Sequence, residues 1–359
     1  MASVKDFADM KARVLTVMAT RSQDQEKVEK TARMYPIHSS HDPLDPQSRY
    51  VVPAFGWHPW FSHQLFDDRD KQCQPDPVEH YKSVLVPAPE DEDFLRTLPA
   101  PYSLQEFLQQ TEARLNEFPF SLVGEVGLDR SFRLPEGPSA VTGDMSSKTG
   151  GSEGEYTPGS REGRPLTPYR VNMDHQKIVL KAQFELAAKL RRPVSVHSVQ
   201  AHGLVFELMQ SMWKGHEKPS KRERKKKADI TNAHASEDKD NDGPEIKQIL
   251  PFPPRICMHS YSGPPDALKQ YLNHTVPAEI YFSFSTAINF SSASSAKVIS
   301  VIKAVPDDRI LIESDLHCAG ETMDKLLKEI VHKVCVIKEW SLEEGAQKLK
   351  RNWIKFVFG

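Results

Sequence analysis

The 359-residue sequence predicts a parallel α/β fold of the TIM (β/α)8-barrel type, with seven strands identifiable and the first strand missing. Two observations lead there. Seven short apolar runs alternate, for the most part, with helical patterns, and near-continuous apolar runs suit parallel strands covered on both faces. Four of those runs also end in an acid or a histidine, at intervals that fit a repeated strand–helix unit. A hydrophobic fraction of 38% and a charged fraction of 27% give enough apolar surface for one large domain spanning residues 1–359.

The strands are expected at 12–19 (ARVLTVMA), 50–56 (YVVPAFG), 120–126 (FSLVGEV), 193–198 (PVSVHS), 255–260 (RICMHS), 279–285 (EIYFSFS) and 309–315 (RILIESD). A helix is expected over 103–118, where Ser103 and Glu106 form a capping box. Another covers 172–190, with apolar residues at helical spacing up to Arg192-Pro193. Two more, 322–340 and 341–358, close the chain.

Two stretches fall outside this rhythm. Residues 131–170 are crowded with Gly, Pro and Ser, and 214–251 run from KPSKRERKKK into SEDKDNDG. Both are expected to be disordered surface insertions, because neither offers apolar surface to offset its ordering entropy. Like-charge blocks are usually just solvated, so KRERKKK (221–227) is weighed as a nuclear-import or DNA-contacting segment against that plain reading.

The formal net charge of −2 excludes a generally nucleic-acid-attracting surface; binding would rely on a local patch or on metal ions. Cys73, Cys257, Cys318 and Cys335 form no CxxC pair and read as reduced thiols. No secretory leader or membrane-spanning run is visible, so a cytoplasmic or nuclear location is expected.

The four strand-end residues are Glu125, His197, His259 and Asp315. With the insertions set aside, 32 residues separate Glu125 from His197 and 24 separate His197 from His259, close to the roughly 30 of a βαβ step. The 56 residues from His259 to Asp315 hold two units, with EIYFSFS between. In a (β/α)8 barrel these ends meet at one mouth. Singly, each is more often a satisfied polar residue; together they form a set suited to a divalent Zn, Mn or Mg ion. Glu125 lies between Gly124 and Gly127, which clear space around it.

GEVGLDR, PVSVHSVQAHG, CMHSYSG and LIESD resemble successive motifs of the TatD-type metal-dependent deoxyribonucleases, which are amidohydrolase-like TIM barrels. FGWHPW (55–60), the 175–190 helix and the closing helix with Asn352 extend the resemblance over about residues 10–358. The long insertions and ESDLHCAG look most like the fungal branch, whose members are often described as partners of a tetratricopeptide-repeat cell-cycle protein. The resemblance implies phosphodiester hydrolysis of DNA at two divalent ions. It implies Glu125 as the shared carboxylate, His197 and His259 on the second ion, and Asp315 on the first ion and on the attacking water. It also implies His58 at the mouth as a phosphate contact. His317, standing where the family has a small residue and proline, is a further candidate ligand or phosphate contact.

No His-x-His occurs in the chain, although the family's first strand ends in one; His38 and His41 have the wrong spacing. The expectation is that Met1 is an internal methionine, that the missing strand lies upstream, and that the barrel has an open seam with impaired activity. The alternative is a non-catalytic scaffold that keeps the barrel; a hydrolase of another ester or amide is a third reading, in which a carboxylated lysine would be expected where Glu125 stands. Trp57, Trp60 and Phe61 are weighed as base-stacking residues against rim packing. Glu313, on the same strand face as Asp315, is expected to be a partner of a ligand and not a ligand itself.

Overall fold

Seven parallel strands follow one another in chain order around a single sheet: β1 (Val14–Met18), β2 (Tyr50–Phe55), β3 (Leu122–Asp129), β4 (Val194–Val199), β5 (Arg255–Met258), β6 (Glu279–Phe284) and β7 (Ile310–Ile312). The computed structural model describes residues 2–45, 47–70, 74–136, 165–220, 252–291 and 295–359. β2, β3, β4 and β6 are buried almost throughout, as expected for strands covered on both faces.

Side chains on the inner face show that the sheet curls. Val52, Ala54, Leu122, Cys257, Tyr281 and Leu311, from five strands, meet in one apolar cluster. Outside it lie α1 (Ser22–Met34), α2 (Leu104–Glu117), α3 (Met173–Lys189), α4 (His202–Trp213), α5 (Pro265–Tyr271), α6 (Ser295–Ala304), α7 (Glu321–Lys338) and α8 (Leu342–Phe358). The predicted cap is in place, Ser103 accepting from Glu106 N, and two more are found: Asn172 accepts from Asp174 N and Ser341 from Glu344 N.

α8 seals the end of the barrel remote from the strands' carboxyl termini. Phe356 and Val357 join the inner cluster, and Arg255 donates to both their carbonyls at 2.7 and 3.2 Å. Asn352 donates to the carbonyls of Asp307 and Ile310 at 2.7 and 2.9 Å, pinning the helix to the start of β7.

Among the described residues no ladder joins β7 to β1. The segment Ala2–Asp9 lies beside this seam. Phe7 and Met10 pack on Ala32, Val51 and Met323, and Asp324 of α7 accepts from Lys11 N and Ala12 N at 2.6 and 2.9 Å.

Three of the strand limits that differ from those predicted bear on the site. β3 runs on to Asp129 because Gly127 and Asp129 still pair with His197 and Val199. β5 and β7 end before His259 and Asp315, since the chain turns there through positive φ at Ser260 (39°) and Asp315 (56°).

The expected 131–170 insertion needs correcting at both flanks. Phe132 and Leu134 are buried against Tyr81, Leu85, Leu95 and Val171, Pro135 bridges Leu166, and Arg170–Val171 pairs with Leu85–Val86. Two large apolar side chains sufficed to anchor a polar stretch. At the other insertion Lys218 N donates to Thr275 O at 2.8 Å. The rest of each, 137–164 and 221–251 with KRERKKK, lies outside the described residues.

Among the described residues no helix is long and apolar enough to cross a membrane. Cys257, Cys318 and Cys335 are free; Cys73 lies outside the described residues.

Candidate metal centre

The mouth is built by close approach of β3 to β4. A Cβ on Gly124 would lie 2.9 Å from that of Ser195, and one on Gly127, at φ +155°, would lie 2.0 Å from the His197 carbonyl oxygen. Only glycine lets the two backbones come so near. The register shifts between Val123 and Val126, and this irregularity carries Glu125 into the mouth.

Three imidazoles converge on Oε1 of Glu125. His197 Nδ1 stands at 3.0 Å, His58 Nε2 at 3.5 Å and His259 Nε2 at 3.7 Å. His259 Nε2 also lies 3.1 Å from Asp315 Oδ1. The structure therefore brings Glu125, His197, His259 and Asp315 together at one end of the barrel. Donor atoms close enough to share an ion fall into two sets, His58 with Glu125 and His197, and His259 with Glu313 and Asp315.

The electrostatics agree with the crowding. Burial opposes the charge of Glu125, yet His259, His58 and His197 outweigh it and hold the carboxyl well below its usual range. His197 is likewise opposed by burial, but Asp129 and Glu125 raise it to about 9. His259 is raised well above its usual value, Glu125, Glu313 and Asp315 overcoming burial. His259 Nδ1 lies 2.8 Å from Glu313 Oε2 but off a hydrogen-bonding direction, so this buried nitrogen has no hydrogen bond. Imidazole nitrogens and carboxylate oxygens gathered within reach of one another are the donor set of a Zn-, Mn- or Mg-type ion, and the residues fit such a group.

His58 sits deeper than the sequence placed it. It is 2% exposed, its Nδ1 accepts from Trp60 N at 3.2 Å, and burial and the neighbouring His197 lower its pKa. With Nδ1 occupied as an acceptor, the neutral ring carries its proton on Nε2, which faces Glu125. His58 thus steadies the carboxylate. His317 is exposed and belongs to neither donor set. Trp57 and Phe61 are buried; Trp60 stacks on Phe132 at 5.0 Å and meets His58 and His197 on edge at 4.4 and 5.6 Å. The three aromatics pack the rim.

Several functional neighbours escaped the sequence reading. Asp129 faces His197 Nε2 at 3.0 Å. Ser260 donates to Glu313 through both its hydroxyl and its amide, and the hydroxyl oxygen lies 3.3 Å from Asp315 Oδ2. Gln176 on α3 accepts from Asp129 N at 2.8 Å and returns a bond to Asp129 O at 3.0 Å, while Gln183, two turns on, does the same for Trp57 at 2.7 and 3.2 Å. Two glutamines seven residues apart on an otherwise apolar helix face were the available clue.

The chain matches the family described as "TatD related DNase" over residues 2–357. It is 37% identical over 355 residues to the Cut9-interacting protein scn1 of Schizosaccharomyces pombe, covering 98% of this chain and 93% of that protein. It is 28% identical over 271 residues to an uncharacterized deoxyribonuclease, YMR262W, of Saccharomyces cerevisiae, covering 74% of this chain and 66% of that protein. Among solved structures, YJJV, a TatD homologue from Escherichia coli, superposes with a TM-score of 0.51 at 17% identity, covering 99% of this chain and 90% of that one. At that identity the likeness speaks for the fold.

Proposed function

This chain belongs to the TatD related DNase family, and from that membership and the geometry of the mouth we propose that it hydrolyses phosphodiester bonds of DNA with the aid of divalent metal. The observation that carries the reading is the approach of three imidazoles to one oxygen of Glu125, with Asp315 beside them. Glu125, His197 through Nδ1, His259 through Nε2 and Asp315 would hold the metal. When bound, divalent ions supply Lewis-acid polarisation of a phosphoryl oxygen and acidify water.

The protein's own groups set the rest. Asp315 is exposed to the mouth, with Oδ2 3.3 Å from Ser260 Oγ and Oδ1 beside His259. It is placed to orient an attacking water and accept its proton. His58 keeps Glu125 turned toward the histidines. Two divalent ions, of the Mg, Mn or Zn type, complete the proposal, with a cytoplasmic or nuclear site of action.

The test is hydrolysis of linear and supercoiled DNA by metal-stripped protein resupplied with Mg²⁺, Mn²⁺ or Zn²⁺. Cleavage that vanishes in Glu125→Gln and Asp315→Asn is expected; no cleavage with any metal, by protein shown to be folded, would overturn it. The fission-yeast relative is named for an interaction, which favours a second reading: that this chain contacts a protein partner, a tetratricopeptide-repeat protein in the sequence-based expectation. Specific co-purification of a repeat protein with catalytically dead variants would support it; none in any salt condition would count against it.

A further inference from the structure

We infer that Asp129 is the positioning residue of the mouth, fixing the ring of His197 so that Nδ1, and not Nε2, faces the metal. The inference rests on the reading of His197 as a ligand. Asp129 stands four residues beyond Glu125, at the end of β3, and is 4% exposed. Its carboxylate is fixed before it meets the imidazole. Oδ1 accepts from Ser131 N at 2.7 Å, Phe132 N at 2.9 Å and Ser131 Oγ at 2.8 Å. Oδ2 accepts from Trp60 Nε1 at 2.6 Å and lies 3.0 Å from His197 Nε2. The backbone of Asp129 is itself clamped by Gln176.

A carboxylate held by four donors is a rigid reference point. In the metal-free chain both ring nitrogens face a carboxylate oxygen, Nε2 at 3.0 Å from Asp129 and Nδ1 at 3.0 Å from Glu125; with Nε2–H kept on Asp129, Nδ1 is the nitrogen whose lone pair would be free for an ion. The negative charge also makes the imidazole a stronger donor, as outer carboxylates commonly do for ligand histidines. The plain alternative is that Asp129 only caps the turn at Ser131 and Phe132. That role predicts no effect on metal affinity once the chain is folded.

Titration of metal-free protein with Mn²⁺ alone and with Zn²⁺ alone separates the two. Asp129→Asn keeps the shape and removes the charge, and it should weaken binding about 10–100-fold. Ser131→Ala removes one turn bond and should leave affinity within about twofold of the parent, well short of that outer-partner effect. Parent-like affinity in a folded Asp129→Asn chain would overturn the inference. If Glu125→Gln and His197→Ala also bind like the parent, the metal reading itself has failed, a different outcome. Should Asp129→Asn not fold, histidine-¹⁵N spectra of the unsubstituted Zn²⁺-loaded chain decide: a slowly exchanging Nε2–H on His197 is expected, and a protonated Nδ1 would overturn the proposal.

Discussion

At the carboxyl ends of the strands, Glu125, His197, His259, Glu313 and Asp315 crowd their charges together; nearer the other end of the same sheet, Leu122, Cys257, Tyr281 and Leu311 meet Phe356 and Val357 in an apolar floor. The mouth holds groups that burial penalises and that only mutual pairing keeps charged. The floor holds groups that burial rewards. One curled sheet thus divides its labour along its axis, with conformational stability gathered at one end and reactivity at the other.

Substitutions can break that division or sharpen it. The largest effect is expected at Gly127, where both ends are at stake. Gly127→Ala sets a Cβ 2.0 Å from the His197 carbonyl and must part β3 from β4. A loss above about 4 kcal/mol is expected, read as failure to purify folded protein or as a collapsed urea midpoint. Normal stability would show that the two strands can separate freely.

Glu125→Gln should lower DNA hydrolysis by about 10³-fold while unfolding stays cooperative. Steady-state rates and thermal melts on one preparation check both halves. Phe356→Ala should do the reverse. It removes a ring 5.3 Å from that of Tyr281 and should cost about 3 kcal/mol in urea unfolding, with the rate per folded molecule nearly unchanged. A rate loss as large as the stability loss would mean that floor and mouth are mechanically coupled.

The smallest effect concerns the floor's own electrostatics. Asp307 pairs with Lys338 and Lys348 at 2.9 and 2.8 Å; burial opposes its charge, but the two lysines lower its pKa below 3.8. Its stabilisation is therefore complete above the ordinary carboxylate pKa and is lost as pH falls through the lowered one. Asp307→Asn should cost about 1 kcal/mol or less at pH 7, since the carboxylate is nearly half exposed and its pairing is screened by solvent. The gap to the parent should begin to close as pH falls below about 3.9, the pKa of an ordinary Asp, and be gone below the lowered one; a gap that persists in acid would assign the effect to hydrogen bonding.

The sequence by itself determined the seven parallel strands, the cap at Ser103, and the convergence of Glu125, His197, His259 and Asp315. Those follow from hydrophobic period and from strand polarity, which are local properties. It also read Gly124 and Gly127 as clearing space, without showing for what. Only the tertiary structure decided that the space admits the β4 backbone, that Asp129 stands behind His197, that Glu313, expected as a ligand's partner, faces His259, and that His58 turns its Nε2 to Glu125. The same holds for Phe132 and Leu134, which anchor a stretch whose composition reads as disordered. Each of these depends on strand register, sheet curl and rotamer across dozens of intervening residues. A one-residue slip of β3 against β4 would turn Glu125 to the opposite face with the composition unchanged, so no local pattern could have fixed it.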